Sequence, residues 1–182
     1  MDELEQREEL ERLKQRMASE RPAQWDALPD LPLYMDQVVS YLGRQLITFR
    51  EGEGLTSAMI NNYIKDGIVP RANGKRYEKE HLAALTAVAV LKQVLSVRDL
   101  ATLMESGVME GSPDEYYARF LNGMDTALKE ALEDIENGPE DLPSLAVSLA
   151  LRSYADVLAC RRILDLLRAQ GGEADKDKKK KK

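Results

Sequence analysis

Ala58, Asn61, Asn62 and Lys65 recur at i, i+3, i+4 and i+7, so a helix through them carries all four on one side. A carboxamide donates and accepts at once. Asn can therefore bond an adenine edge bidentately, while lysine neutralises a phosphate, and no acid interrupts this set. Just downstream, Arg71, Lys75 and Arg76 add three cations. A polar helix face that only meets water has the same composition, so the face has to be read with its surroundings.

Those surroundings are well punctuated. Thr56 is a good N-cap, Gly67 is the expected glycine just past the helix, and Met59, Ile60, Tyr63 and Ile64 form the opposite, apolar side. Asn73-Gly74 is the strongest two-residue β-turn signal, because both central residues of a type I′ turn need positive φ. A tight loop there pairs Ala72 with Lys75, Arg71 with Arg76, and Pro70 with Tyr77. Two arginines opposed across a ladder repel each other, an arrangement that suits an anion lying over them, although long side chains can also splay into solvent.

At these residues a resemblance is visible. SAMINNYIKDGIVP followed by RANGKRYEKEHL, and later LKQVLSVRDLATLM, resembles the winged helix-turn-helix domain of MerR-type transcription regulators. LPLYMDQVVSYL, LTSAMINNYIKDG and LKQVLSVRDL together resemble, more closely, a bacterial family known only as a domain of unknown function. That likeness spans roughly residues 29–106. It implies a DNA-binding-like fold but supplies no established activity; if the MerR-like winged helix binds duplex DNA, Ser57, Ala58, Asn61, Asn62 and Lys65 are expected to approach the major groove, and Arg71, Lys75 and Arg76 to grip phosphates. Asn61 and Asn62 stand where MerR-type proteins usually have an arginine and a tyrosine, and the wing is about a residue shorter.

The whole chain narrows the classes. At 182 residues with 43% hydrophobic and 32% charged residues, it suits one domain, or one small domain with a helical extension, with a soluble surface. Aromatics are only 5%, too few for the stacking platforms that bind single strands or RNA. No run of about 18 apolar residues exists, so no membrane span is expected. The acidic N-terminus is unlike a signal peptide, and the lone Cys160 cannot form an internal disulfide, so a cytoplasmic protein is expected. One His and one Cys cannot build a usual zinc site, and no nucleophile triad or phosphate-binding glycine loop occurs. We expect neither an enzyme nor a cofactor. His81 reads as a helix-start packing or capping residue.

Net charge is −6, but its distribution matters more. Leu55 to Arg98 carries seven cations against three acids, whereas Gly107 to Gln170 carries twelve acids against six bases. The acidic load thus sits outside the basic stretch.

The remaining elements follow in order. Residues 1–28 form a charged arm and linker, with a thin seam at Leu4, Leu10, Leu13 and Met17 and prolines from Pro22. Tyr34 to Phe49 predicts an amphipathic helix, and Phe49 to Gly54 the turn after it. Lys79 to Leu95 is apolar almost all round and should be the buried centre; Ser96 and Asp99 then resemble a capping box. Residues 107–170 read as a C-terminal helical unit. Ser112-Pro-Asp-Glu115 starts its first helix and Asn137-Gly138-Pro139 ends it. Its last helix, about Ser144 to Ala169, is too apolar for one covered side; it either lies across the domain or meets a second copy. Residues 171–182 are a Lys-rich, low-complexity tail expected to be disordered.

The sequence therefore predicts an all-α fold with a small β-hairpin wing, a MerR-like winged helix-turn-helix over residues 29–106, and a C-terminal helical unit. The expected function is a homodimeric, duplex-DNA-binding regulator. A protein-interaction adaptor on the same scaffold is the alternative.

Overall fold

The computed structural model describes residues 2–48, 54–108 and 110–180. Its α-helices, in order, are α1 (Glu3–Ser19), α2 (Met35–Leu42), α3 (Ser57–Lys65), α4 (Lys79–Leu91), α5 (Val97–Leu103), α6 (Pro113–Glu136) and α7 (Leu142–Lys180). A 3-10 turn (Trp25–Ala27) precedes α2, and a π-helical turn (Met104–Val108) extends α5.

The core is built around α4. Between Leu82 and Leu91 its only polar side chain is Thr86, and a helix apolar on every side must be surrounded. His81 through Ala89 are all buried. The Thr86 hydroxyl donates to the Leu82 carbonyl at 2.8 Å, so this polar group needs no water. On one side α2, α3 and α5 supply Val38, Leu42, Ile60, Tyr63 and Leu100. On the other, Ala83 packs with Leu28, Tyr116, Tyr117 and Leu121, which joins the proline linker and the start of α6 to the same centre.

Several expected boundaries hold for the expected reasons. Ser96 Oγ accepts from the Asp99 N–H at 3.2 Å, and the Asp99 carboxylate accepts from the Ser96 N–H at 3.4 Å, a capping box. At the start of α6 the Ser112 N–H donates to Glu115 Oε2 at 3.0 Å. α2 is shorter than expected. After Leu42 the chain tightens, with Arg44 and Gln45 N–H groups donating three residues back, to the Tyr41 and Leu42 carbonyls. Gln45 then turns its side chain to accept the Ala23 N–H at 2.9 Å. The expected turn from Phe49 to Gly54 falls largely on residues 49–53, outside the described residues.

The β-hairpin wing is a correction. No strand or sheet forms among the described residues; residues 70–77 make a loop with two isolated bridges, Asn73 with Arg76 and Leu33 with Tyr77. A type I′ turn needs positive φ at Asn73 as well as Gly74, but among the described residues only glycines have positive φ. With Gly74 alone at φ 66°, the turn shifts one residue along and centres on Gly74-Lys75. Tyr77 then exchanges both backbone bonds with Leu33, each 2.9 Å, rather than with Pro70, which has no N–H to offer. Arg71 and Arg76 are consequently not a cross-strand pair. The winged part of the MerR-like expectation fails with the hairpin, and the all-α part stands.

α1 lies along α6, with Leu10, Leu13 and Met17 half-buried and Arg21 paired with Asp125 at 2.8 Å. α7 runs past Gly171-Gly172, where the sequence suggested a stop. Its first half meets α6 through Arg152, 2.9 Å from Asp134, and its second half packs on α5. There Arg168 forms an ion pair with Asp99, the two side chains only 24% and 15% exposed.

This contact predicts an acid response. Hydrogen bonds from Arg168 and then Ser96 hold the Asp99 carboxyl below its ordinary value of 3.8. Lys129 and Arg21 do the same for Asp125. A carboxyl with a lowered folded pKa contributes stability above its unfolded value and loses it as pH falls through the folded one. Melting temperature should stay level from about pH 7 to 5 and fall below about pH 4. In Asp99→Asn, α7 amides should exchange faster at pH 7, with little further change on acidification.

Candidate nucleic-acid interface

α3 is held rigidly at both ends. Thr56 Oγ1 accepts the Met59 N–H at 3.2 Å. At the other end Gly67 takes φ 74°, its N–H reaches the Ile64 carbonyl at 3.2 Å, and the Ile68 N–H reaches the Tyr63 carbonyl at 2.9 Å. That paired closure is a Schellman motif. Ile60 and Tyr63 are buried on the inner side, and Ile68 and Val69 anchor the chain immediately after the helix.

What remains outside is the predicted set. Ser57, Ala58, Asn61, Asn62 and Lys65 are exposed on α3, and Arg71, Lys75 and Arg76 are exposed on the loop. Among the described residues, the side chains of Asn61, Asn62, Lys65, Arg71 and Lys75 have no hydrogen-bond or ion-pair partner. Their donors and acceptors face only water. Four residues, Asp66 to Val69, separate the helix from the loop, so the two cannot be more than about 15–20 Å apart along the chain. Lys79, by contrast, is engaged: it pairs with Asp30 at 2.6 Å and lies over the Trp25 ring.

The loop is pinned to the core by His81. This residue is 2% exposed, its Nδ1 accepts the Glu78 N–H at 3.0 Å, and its Nε2 lies 3.1 Å from the Arg71 carbonyl. With Nδ1 accepting, Nε2 carries the proton and donates. His81 is therefore a capping residue that also fixes where the basic loop begins. Tyr77 meets its ring edge-on at 5.8 Å. Burial raises the phenol pKa of both Tyr63 and Tyr77, as expected for side chains that pack.

Residues 23–120 match the family described as Domain of unknown function (DUF1836). The chain belongs to this family. The match spans α2 to α5 and the first turns of α6, and all eight candidate contact residues lie inside it. It does not support the MerR-type resemblance. No curated protein and no solved structure matches the chain.

The DUF1836 fold also presents a residue that sequence reasoning passed over. Tyr34, 48% exposed at the N-cap of α2, accepts from Arg76 Nη2 at 3.2 Å, and the guanidinium sits 5.3 Å from its ring centroid. The Leu33–Tyr77 bridge brings the two together across more than forty residues. Locally the sequence shows only a tyrosine beside a helix start, and nothing there links it to the loop. Arg76 stays exposed with N–H donors beyond the one given to Tyr34, and stacking restricts its motion, which suits a phosphate contact.

Proposed function

We propose that this protein is a DNA-binding transcriptional regulator of bacterial type, working in the cytoplasm. In this reading the α3 face enters the major groove while Arg71, Lys75 and Arg76 bond flanking phosphates. One observation carries it: a helix fixed at both ends exposes two carboxamides and a lysine that nothing in the fold uses, beside a loop with three exposed cations. Phosphate contacts position a protein on DNA and base contacts specify the site, and the two groups of residues divide along that line. The adaptor reading draws on the net charge of −6, which favours a basic protein partner over a polyanion. The local excess of cations from Leu55 to Arg98 favours DNA at this surface.

The test is specificity. After selection of a preferred duplex from a random pool, Asn61→Ala or Asn62→Ala should cost about 1–3 kcal/mol at that site and leave random DNA unaffected. Both residues are exposed, so folding should not change. Equal loss on both kinds of DNA, or no loss on either, would reject base readout by α3.

A further inference from the structure

α7 keeps one side for its own chain and leaves a second, different one bare. Leu145 and Leu164 are buried, and Leu149, Val157, Cys160 and Leu167 are half-buried; Leu164, Cys160 and Leu167 pack into the main core. Opposite them Val147, Leu151, Tyr154 and Leu158 are 58%, 63%, 65% and 57% exposed. Their spacing of 4, 3 and 4 residues confines them to about 60° of the helix circumference. That is the a/d spacing of a coiled coil, about 16 Å long; Ile163 and Leu166, also exposed, lie off this line further along the helix.

The charges around the seam select its occupant. Extending the same spacing toward the C-terminus reaches Arg161 and Asp165; the flanking e register holds Arg162 and, one residue before α7 begins, Asp141, one of whose carboxylate oxygens caps the helix at the Ser144 N–H, 2.9 Å away. Arg161 and Arg162 are exposed and, among the described residues, have no ion-pair partner. A parallel copy would set Arg161 on Arg161 and Asp165 on Asp165. An antiparallel copy instead seats Val147 against Leu158 and Leu151 against Tyr154, and brings Asp141 to Arg162. Twofold symmetry makes each contact twice. We propose that α7 pairs antiparallel with α7 of a second copy of this chain. This inference does not depend on the duplex-binding reading.

Two experiments decide it. Sedimentation should find the full chain dimeric at tens of micromolar. Leu151→Asp should weaken the dimer by about 100-fold or more, since each substitution removes two buried leucines, with the circular dichroism unchanged because Leu151 is exposed in the protomer. Orientation is read by oxidative cross-linking in a Cys160→Ala background. Val147→Cys chains should cross-link to Leu158→Cys chains and not to themselves, because like positions lie about 16 Å apart in the antiparallel pair, too far for a disulfide. A monomer at about 100 μM, an undiminished Leu151→Asp dimer, or self-cross-linking of Val147→Cys would each overturn the proposal.

Discussion

Alanine at Arg71, Lys75 and Arg76 together is expected to weaken binding to every duplex alike and to reduce the slope of log affinity against log salt by about 2.7 units, 0.9 for each phosphate no longer neutralised. Between 50 and 200 mM salt the unmutated protein should then lose about 40-fold more affinity than the variant. The change is large because all three cations are exposed and Arg71 and Lys75 have no competing partner among the described residues. Folding should barely respond. Among the described residues only Arg76 gives up side-chain interactions, its stacking on Tyr34, worth about 0.5–1 kcal/mol at an exposed site, and its 3.2 Å hydrogen bond to the Tyr34 hydroxyl. Tyr34→Ala should separate the two roles. It keeps every charge, so the salt slope stays, while affinity falls modestly as Arg76 regains its freedom. Fluorescence anisotropy of labelled duplexes over a salt series reads both effects.

The largest loss of stability is expected from Tyr117→Ala. This side chain is 0% exposed, where α6 crosses the proline linker and α4. Its ring stacks on Phe120 at 6.2 Å and meets Trp25 edge-on at 6.4 Å, and its hydroxyl donates to the Ala23 carbonyl at 2.9 Å. Truncation removes a full aromatic burial, leaves a cavity, and strands a backbone acceptor. The expected cost is about 3–5 kcal/mol, a large share of a domain's total stability. Tyr117→Phe keeps the packing and should lose only about 1 kcal/mol. Burial lifts the phenol to about 12, so alkaline titration of the folded protein should show Tyr117 ionising late. Denaturant midpoints for the two variants check the difference. Near-equal midpoints would show that the ring is not where the linker, α4 and α6 are held together.

The candidate site was legible wherever a local signal decides the conformation. Thr56 and Gly67 bracket α3 as their chemistry requires, and the exposed set Asn61, Asn62 and Lys65 follows from helical period alone. The apolar run after Lys79 announces a helix that must be buried, and Ser96-Asp99 and Ser112-Glu115 mark two further starts. The wing was not legible, because one backbone angle decides it. Asn73 tolerates the left-handed region but does not adopt it, and the register moves by one residue. That shift depends on Leu33, far away in sequence, exchanging hydrogen bonds with Tyr77. Tyr34 under Arg76 and His81 under Arg71 depend on tertiary placement in the same way. Past the early end of α2, the Gln45 side chain accepts the Ala23 N–H, a partner 22 residues away. Local pattern specifies the helices here, and the connecting segments are tied down by single contacts between residues distant in sequence.

Whether this surface binds duplex DNA at all is decided by titrating the unmutated protein into a labelled, unspecific duplex as salt is raised from about 50 to 200 mM. With Lys65, Arg71, Lys75 and Arg76 facing solvent, the dissociation constant should be about 10⁻⁴ M or tighter at low salt, and the log–log slope about −3.6 if all four neutralise phosphates. No anisotropy change at about 50 mM salt with about 100 μM protein, or binding indifferent to salt, would contradict duplex binding through α3 and its basic loop.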